Sequence, residues 1–342
     1  MKDYRVCAVV VTFNRRDLLI ECLESLKKQS YPLNGIYVVD NASSDGTEKL
    51  LFEKEYIEEI PPTNHSETWS KCYIIKNSVN GENIKLHYVR LSENSGGAGG
   101  FYEGVKRAYE EGYDWLWLMD DDSEPLEDAL EKLSEYLDEE DVSALAGVVT
   151  NPDNEILPHR GYADFNSFRN YFTVKEVDPD IIKNNEKLII DDASFVGILV
   201  NRKSIAKIGF PKKELFIYRD DTEYCIRLRS VGRIIFITDS VILHKENRFS
   251  NKLLGRKINQ IKYENYWLFY FEIRNHIWLL NKYRRPLLYL WIMIIVSWLI
   301  RIADILLYDD HKLKRINLVT QAYNAGLKGN FDNEKPKKIL YG

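Results

Sequence analysis

Cysteine is scarce in this chain of 342 residues. The four present, Cys7, Cys22, Cys72 and Cys225, are scattered and form no CxxC pair. A disulfide framework or a cysteine zinc site is therefore not expected, and a reducing cytoplasm is the expected setting. A leader-like start is missing too. "MKDYRVCAVVVTF" has no long apolar stretch and no cleavage site, and it reads as a first strand. No internal repeat occurs, and the composition is not that of a low-complexity or disordered chain. Nor does any charge-free apolar run reach the ~20 residues that a bilayer-spanning helix needs. Leu287 to Ile300 carries no charge, but Arg301 and Asp304 interrupt its continuation to Tyr308.

What is present suffices for a sizeable core: 45% of residues are hydrophobic and 29% charged, enough for one large domain or a domain with an appendage. The net charge of −5 conceals an uneven distribution. From Arg248 to Gly342 there are 17 Lys and Arg against 7 Asp and Glu, whereas the remainder has 30 against 45. Two environments are implied, and the basic end would suit nucleic acid, an anionic membrane surface or an acidic neighbour.

The first half alternates strand-like and helix-like segments. "YRVCAVVVTF" is a continuous apolar run, as in a strand covered on both faces. "RRDLLIECLESLKKQ" places Leu18, Leu19, Cys22, Leu23 and Leu26 on one helical side. "IYVVDNASSDGT" and "KLHYVRL" read as strands, the glycine-rich "SENSGGAGG" opens the helix "FYEGVKRAYEEG", and "DWLWLMD" and "EPLEDALEKLSEYLDEE" read as a strand and a helix. This order predicts an α/β fold with a doubly wound, mostly parallel sheet whose ligands lie beyond the carboxyl ends of the strands. Residues 56–84 read as a polar insertion or mobile loop. After about residue 251 the chain becomes aromatic and basic, which predicts two regions, 1–250 and 251–342.

Two acidic clusters stand out. In "WLWLMDDDSEP" an apolar run drives into Asp120, Asp121 and Asp122. Adjacent carboxylates repel one another, and a divalent cation on a diphosphate would relieve that repulsion. The competing reading is a solvated turn with Asp122 or Ser123 capping a helix. In "ELFIYRDDTEYCIRLRSVG", Asp220 and Asp221 precede a helix and serve either as caps or as a general base. Asn94, Gly96 and Gly97 lie in a loop whose small residues and helix amides suit phosphate, although its spacing is neither GxGxxG nor a GK[ST] loop. Asp40 either accepts from a base or ribose or caps its own turn. His244 follows another strand.

Taken in order, "VVVTFNR", "VVDNASSDGT", "ENSGGAGG", "WLWLMDDD", "FVGILVNRKSIAKIGFPKKELFIYRDDTEYCIRL" and "LHKENR" resemble the family-2 glycosyltransferases of GT-A fold over about residues 5–247. The resemblance implies a Rossmann-like GT-A catalytic domain. It puts the nucleotide-sugar donor, a UDP-sugar, on Thr12, Asn14, Arg15, Asp40, Asn94, Gly96, Gly97 and Asp121. It implies Mn2+ or Mg2+ on Asp120 and Asp122, with His244 as third ligand, and Asp221 as the base, with Asp220 as its rival. The DDD triplet and "RDDTEY" look most like galactofuranosyltransferases and the rhamnosyltransferases near them. The chain lacks the N-terminal β-rich domain of the polymerising members, which implies a single addition. "AYNAGLKGNFDN" resembles the tails of bacterial members that decorate lipid-linked polysaccharides. The acceptor implied is a glycan or lipid-linked glycan.

The C-terminal helices are expected to lie in the interface of an anionic membrane surface, peripheral at its inner face. A buried helical subdomain or a homo-oligomer contact is the competing reading. No nucleic-acid partner is expected. A nucleotidyltransferase and a non-catalytic glycan- or membrane-binding protein are the rival classes.

Overall fold

The structure is a computed structural model that describes residues 4–62, 67–163, 174–245, 252–253, 256–257, 262–283 and 288–342. The first elements are β1 (Val6–Thr12), α1 (Arg16–Lys27), β2 (Gly35–Asp40), α2 (Thr47–Glu53), β3 (Trp69–Lys76), β4 (Asn83–Arg90), α3 (Gly96–Glu110) and β5 (Trp115–Asp120). They are followed by β6 (Ser123–Pro125), α4 (Ala129–Ser134), β7 (Val142–Thr150), β8 (Arg160–Ala163), β9 (Val174–Glu176), α5 (Pro179–Lys183) and β10 (Lys187–Ile190). Then come β11 (Asp192–Ala193), β12 (Ile198–Asn201), α6 (Arg202–Ile208), α7 (Asp220–Arg229) and β13 (Arg233–His244).

Ten strands form one sheet in the order β10-β13-β7-β12-β5-β1-β2-β4-β3, with β6 paired to β13. Strands β5, β1, β2 and β4 run parallel, as do β7 and β13. Strand β12 inserts antiparallel between β5 and β7, so the sheet is mixed. Every residue of β1 and β2 is buried, which is why these runs show no alternation of polar residues. The register pairs Thr12 with Asp40 and Val11 with Asp120, so the three strand ends finish side by side.

Two expectations change. Within residues 56–84 the chain forms β3, an edge strand on β4, with Tyr73 and Ile75 buried and Ile74 and Lys76 exposed. A strand covered on one face alternates, and so many polar residues give it the composition of a loop; residues 63–66 of this stretch lie outside the described residues. The helix expected from Glu124 begins only at Ala129, because Ser123–Pro125 pair with His244–Ile242 of β13.

The glycines of α3 divide by purpose. A Cβ on Gly100 would fall 2.5 Å from Val11 Cγ1, and one on Gly104 would fall 2.3 Å from Val9 Cγ1. These positions let the helix lie against the sheet. A Cβ on Gly97 would meet nothing within 4 Å.

A second compact unit brings Glu214–Arg219 together with the C-terminal helices. These are α8 (Tyr266–Tyr283), α9 (Leu288–Tyr308), α10 (Lys312–Lys328) and α11 (Lys335–Tyr341). The fully buried Arg274 and Asn275 of α8 hold the 214–219 segment by its carbonyls. Arg274 donates to Glu214 O and Leu215 O at 3.2 and 2.9 Å, and Asn275 Nδ2 donates to Leu215, Ile217 and Tyr218 O at 2.7–3.0 Å. Their grip supports three non-glycine residues in the left-handed region, Phe216, Tyr218 and Arg219, with φ of 67–68°. In α9, Leu290–Tyr308 has a mean hydropathy of 2.2 and only 17% of its most apolar window is buried. By length and composition alone this helix could cross a membrane.

Substitution at Gly104 and Gly97 should give opposite results. Gly104→Ala is expected to cost about 1–3 kcal/mol, because overpacking against Val9 exceeds the ~1 kcal/mol gained in helix propensity. Gly97→Ala should be neutral or slightly stabilising. Urea denaturation of both variants checks this, and equal stabilities would refute the packing role.

Candidate functional site

The site grows from the end of β5. Trp115 to Met119 are fully buried, so the backbone that presents Asp120, Asp121 and Asp122 cannot drift. With β6 immediately following, neither Asp122 nor Ser123 caps a helix. The buried Asp121 accepts from Thr12 Oγ1 at 2.7 Å. Arg15 reaches Asp122 Oδ2 at 2.8 Å and Asp121 Oδ1 at 3.5 Å. Pairing of β13 with β6 brings His244 in, and Lys245 N donates to Asp122 O at 3.1 Å.

Asp120, Asp122 and His244 each offer a ligand-type atom, all within 4.8 Å of one another. His244 Nε2 lies 3.1 Å from Asp122 Oδ1. Beyond this contact, the buried Asp122 Oδ1 has no hydrogen-bond partner among the described residues, and neither has His244 Nδ1. Two buried orphan atoms are costly unless something satisfies them. Two carboxylates and an imidazole form a donor set for a divalent cation of the Mn2+ type, so these residues fit such an ion.

The electrostatics follow from crowding. Burial, then the charges of Asp122 and Asp121, pushes Asp120 well above the ordinary carboxylate range. Burial takes Asp121 up to about 6 despite its bond from Thr12. Burial would raise Asp122 as well, but His244 and Arg15 bring it below the usual value. In the first turn of α7, burial and then the charge of Asp221 raise Asp220 to about 8. Asp220 in turn contributes to the elevation of Asp120, so the two acidic clusters feel each other. Asp221 is only partly buried and accepts from Thr222 N at 2.7 Å.

Around this centre the other expected residues take varied places. Asn14 sits at φ 55° and ties two turns together: its N–H donates to Ser43 Oγ, and its Oδ1 accepts from Ser44 N. Asn94 Oδ1 accepts from Gly96 N at 2.8 Å, ordering the start of α3, and Gly97 faces open space. Asp40 is fully buried, with Oδ1 accepting from Ser43 N and Oδ2 from Tyr88 Oη and Arg90 Nη1, each at 2.7–2.8 Å. A carboxylate so engaged braces its loop, with one bond accepted at Oδ1 and two at Oδ2.

Sequence reasoning missed two neighbours. His159 packs edge-on against His244 with ring centroids 5.1 Å apart, and its Nδ1 lies 2.8 Å from Ser194 Oγ. Arg160 is buried and donates to the carbonyls of Gly147, His159 and Val196 at 2.6–2.9 Å. Burial lowers its guanidinium to about 10, opposed by Cys225, Asp192 and Asp221. It is therefore a fixed cation in the field of Asp221. "PHRGY" resembles no motif, and only the partner strands bring these residues here.

The protons held by Asp121 up to about 6 and by Asp220 up to about 8 predict a pH trend. The unfolded chain releases these protons at lower pH, so the metal-free protein should lose stability as pH rises through 6 and then 8. Asp122 opposes this only at more acid pH. Mn2+ should offset the penalty, so its increment in melting temperature should grow across the same window. Scanning calorimetry from about pH 5 to about pH 9 tests this; a metal-free melting temperature that stays level or climbs would contradict it.

Comparison with known proteins places the chain. The family described as Glycosyl transferase family 2 matches residues 7–62 and 63–209, more than half of the sequence. The galactofuranosyltransferase GlfT1 of Mycolicibacterium smegmatis is 28% identical over 234 residues, 66% of either chain, so the match spans just under two thirds of that relative. The dTDP-rhamnosyl transferase RfbF of Shigella flexneri is 27% identical over 246 residues, 72% of this chain and 79% of that one. The crystal structure of GalNAc-T7 with UDP, GalNAc and Mn2+ has the same fold, with a TM-score of 0.55 at 11% identity over 99% of this chain and 58% of that one. The chain belongs to glycosyl transferase family 2 and has the GT-A fold.

Proposed function

We propose that this enzyme transfers galactofuranose from UDP-galactofuranose, with inversion, to a hydroxyl of a lipid-linked bacterial polysaccharide. The proposal includes Mn2+ or Mg2+ held by Asp120, Asp122 and His244. The observation that carries it is the convergence of these three donor groups, two with orphaned buried atoms, at a strand end in a family-2 chain. The 28% match to a galactofuranosyltransferase supports the sugar. Rhamnosyl transfer from dTDP-rhamnose is the second reading, supported by the 27% match to a dTDP-rhamnosyl transferase.

When bound, the cation would supply charge neutralisation for the departing diphosphate. The chain's own groups account for the rest. Arg15 and Thr12 hold Asp121 and Asp122 in place. The open face at Gly97 admits the donor to the amides that open α3. Asp220 stays protonated up to about pH 8 and is a poor base at neutral pH. This leaves Asp221, on the partly exposed side of the pair, to take the acceptor's proton as its oxygen attacks the anomeric carbon. The domain reading places this chemistry in residues 1–250 and membrane association in 251–342.

Asp122→Ala should abolish transfer and metal-dependent donor binding with the fold intact. Asp221→Asn should bind donor with affinity near wild type yet lose turnover by about two orders of magnitude or more. Calorimetric donor titration alongside a transfer assay with UDP-galactofuranose and dTDP-rhamnose measures both. A fully active Asp221→Asn with a dead Asp220→Asn would pass the base to Asp220, and preference for dTDP-rhamnose would select the second sugar.

The exposed face of α9 carries Trp291, Ile292, Ile295 and Leu299, which suits an interfacial helix beside a basic tail. The full chain should therefore sediment with anionic liposomes at low salt, and a Trp291→Glu/Leu299→Glu variant should not. Wild-type protein remaining in the supernatant would favour the dimer-contact reading.

A further inference from the structure

A cavity of about 430 Å³ lies wholly inside the helical unit, among α8, α9, α10 and Arg219. That volume is in the range of small-molecule sites. Its lining mixes apolar and polar groups. Ile273, Ile277, Met293, Val296 and Ile300 supply the apolar part. Val296 and Ile300 are also 41% and 56% exposed, so this part is continuous with the bare apolar face of α9.

The polar part of the lining is incompletely satisfied. Arg219 is paired with Glu272 at 2.7 Å. Arg301 stacks its guanidinium over Phe269, 4.9 Å from the ring centroid, while its buried Nε meets no hydrogen-bond partner among the described residues. His276 Nδ1 is likewise buried without a partner among the described residues. Burial, then the charge of Arg219, takes this imidazole down to about 4, so it is neutral at pH 7 and one of its ring nitrogens carries a proton. Asp304 is the remaining charged residue of the lining and is exposed. The buried Arg301 N–H calls for an acceptor-rich ligand, and the neutral His276 ring donates to the same ligand in the tautomer that carries its proton on Nδ1. The apolar wall running out to an exposed hydrophobic helix calls for an aliphatic chain.

We infer that this cavity binds the phosphate head of an aliphatic amphiphile taken from the membrane, with Arg301 and His276 on the phosphate oxygens and the chain along Val296 and Ile300. The inference goes beyond the transfer reaction and does not depend on which sugar is moved. Binding is non-covalent and requires neither donor nor metal.

The test is isothermal titration of the full chain, free of donor and metal, with decyl phosphate below its micelle concentration. Saturable one-to-one binding is expected. Arg301→Gln should weaken it about tenfold or more, as loss of a charge-assisted contact does. Val296→Trp, which fills the mouth and leaves every charge in place, should weaken it comparably. Circular dichroism establishes that each variant is folded, and Val296→Trp alone decides the matter if Arg301→Gln is not. Decanol binding as tightly as decyl phosphate would reduce the cavity to an apolar slot and overturn the proposal. Inorganic phosphate binding as tightly would make it a plain anion site, and unchanged affinity in the folded variants would place the amphiphile elsewhere. Each of the last two outcomes also overturns it.

Discussion

The rest of the catalytic unit is organised around a repulsion. Three consecutive carboxylates stand at the end of a strand whose preceding residues are sealed in the core. Moving them apart would mean unravelling β5, so the chain counters their charge on the spot. Thr12 bonds to one, Arg15 spans two, and His244 is delivered by the antiparallel pairing of β6 with β13. What remains uncompensated is held partly protonated by burial, and that residual strain is what a cation would relieve.

Close packing elsewhere serves the same end. The α3 glycines that bring the helix down onto Val9 and Val11 also bring its first amides to the edge where β1, β2 and β5 finish together. Asp40 contributes from beneath. Its bonds to Tyr88, Arg90 and Ser43 make the β2 end a rigid corner, a structural use of a residue type that also suits ligand binding. In the helical unit, Arg274 and Asn275 spend their buried donors on carbonyls of a left-handed segment. Such a conformation persists only where its surroundings over-determine it.

Much of this was legible in the residues themselves. Continuous apolar runs identify β1, β2 and β5 because a strand covered on both faces has no polar side to show. The ordered motifs locate both acidic clusters because the strand end and helix start that carry them are local features. The apolar, basic tail likewise shows in composition, since the bare apolar face of α9 is carried by its own local sequence.

Tertiary structure alone decided the remainder, because it depends on partners distant in the chain. Strand β3 alternates too weakly to be recognised without β4 beside it, and β12 runs antiparallel only because β5 and β7 leave it that place. Ser123 to Pro125 would pass for the start of a helix until β13 pairs with them, and the same pairing turns a lone His244 into the neighbour of Asp122. Nothing local shows that Asp40 accepts from Arg90, fifty residues away. Local sequence specifies which groups a segment carries, whereas the charge and hydration they retain are set by what folding places against them.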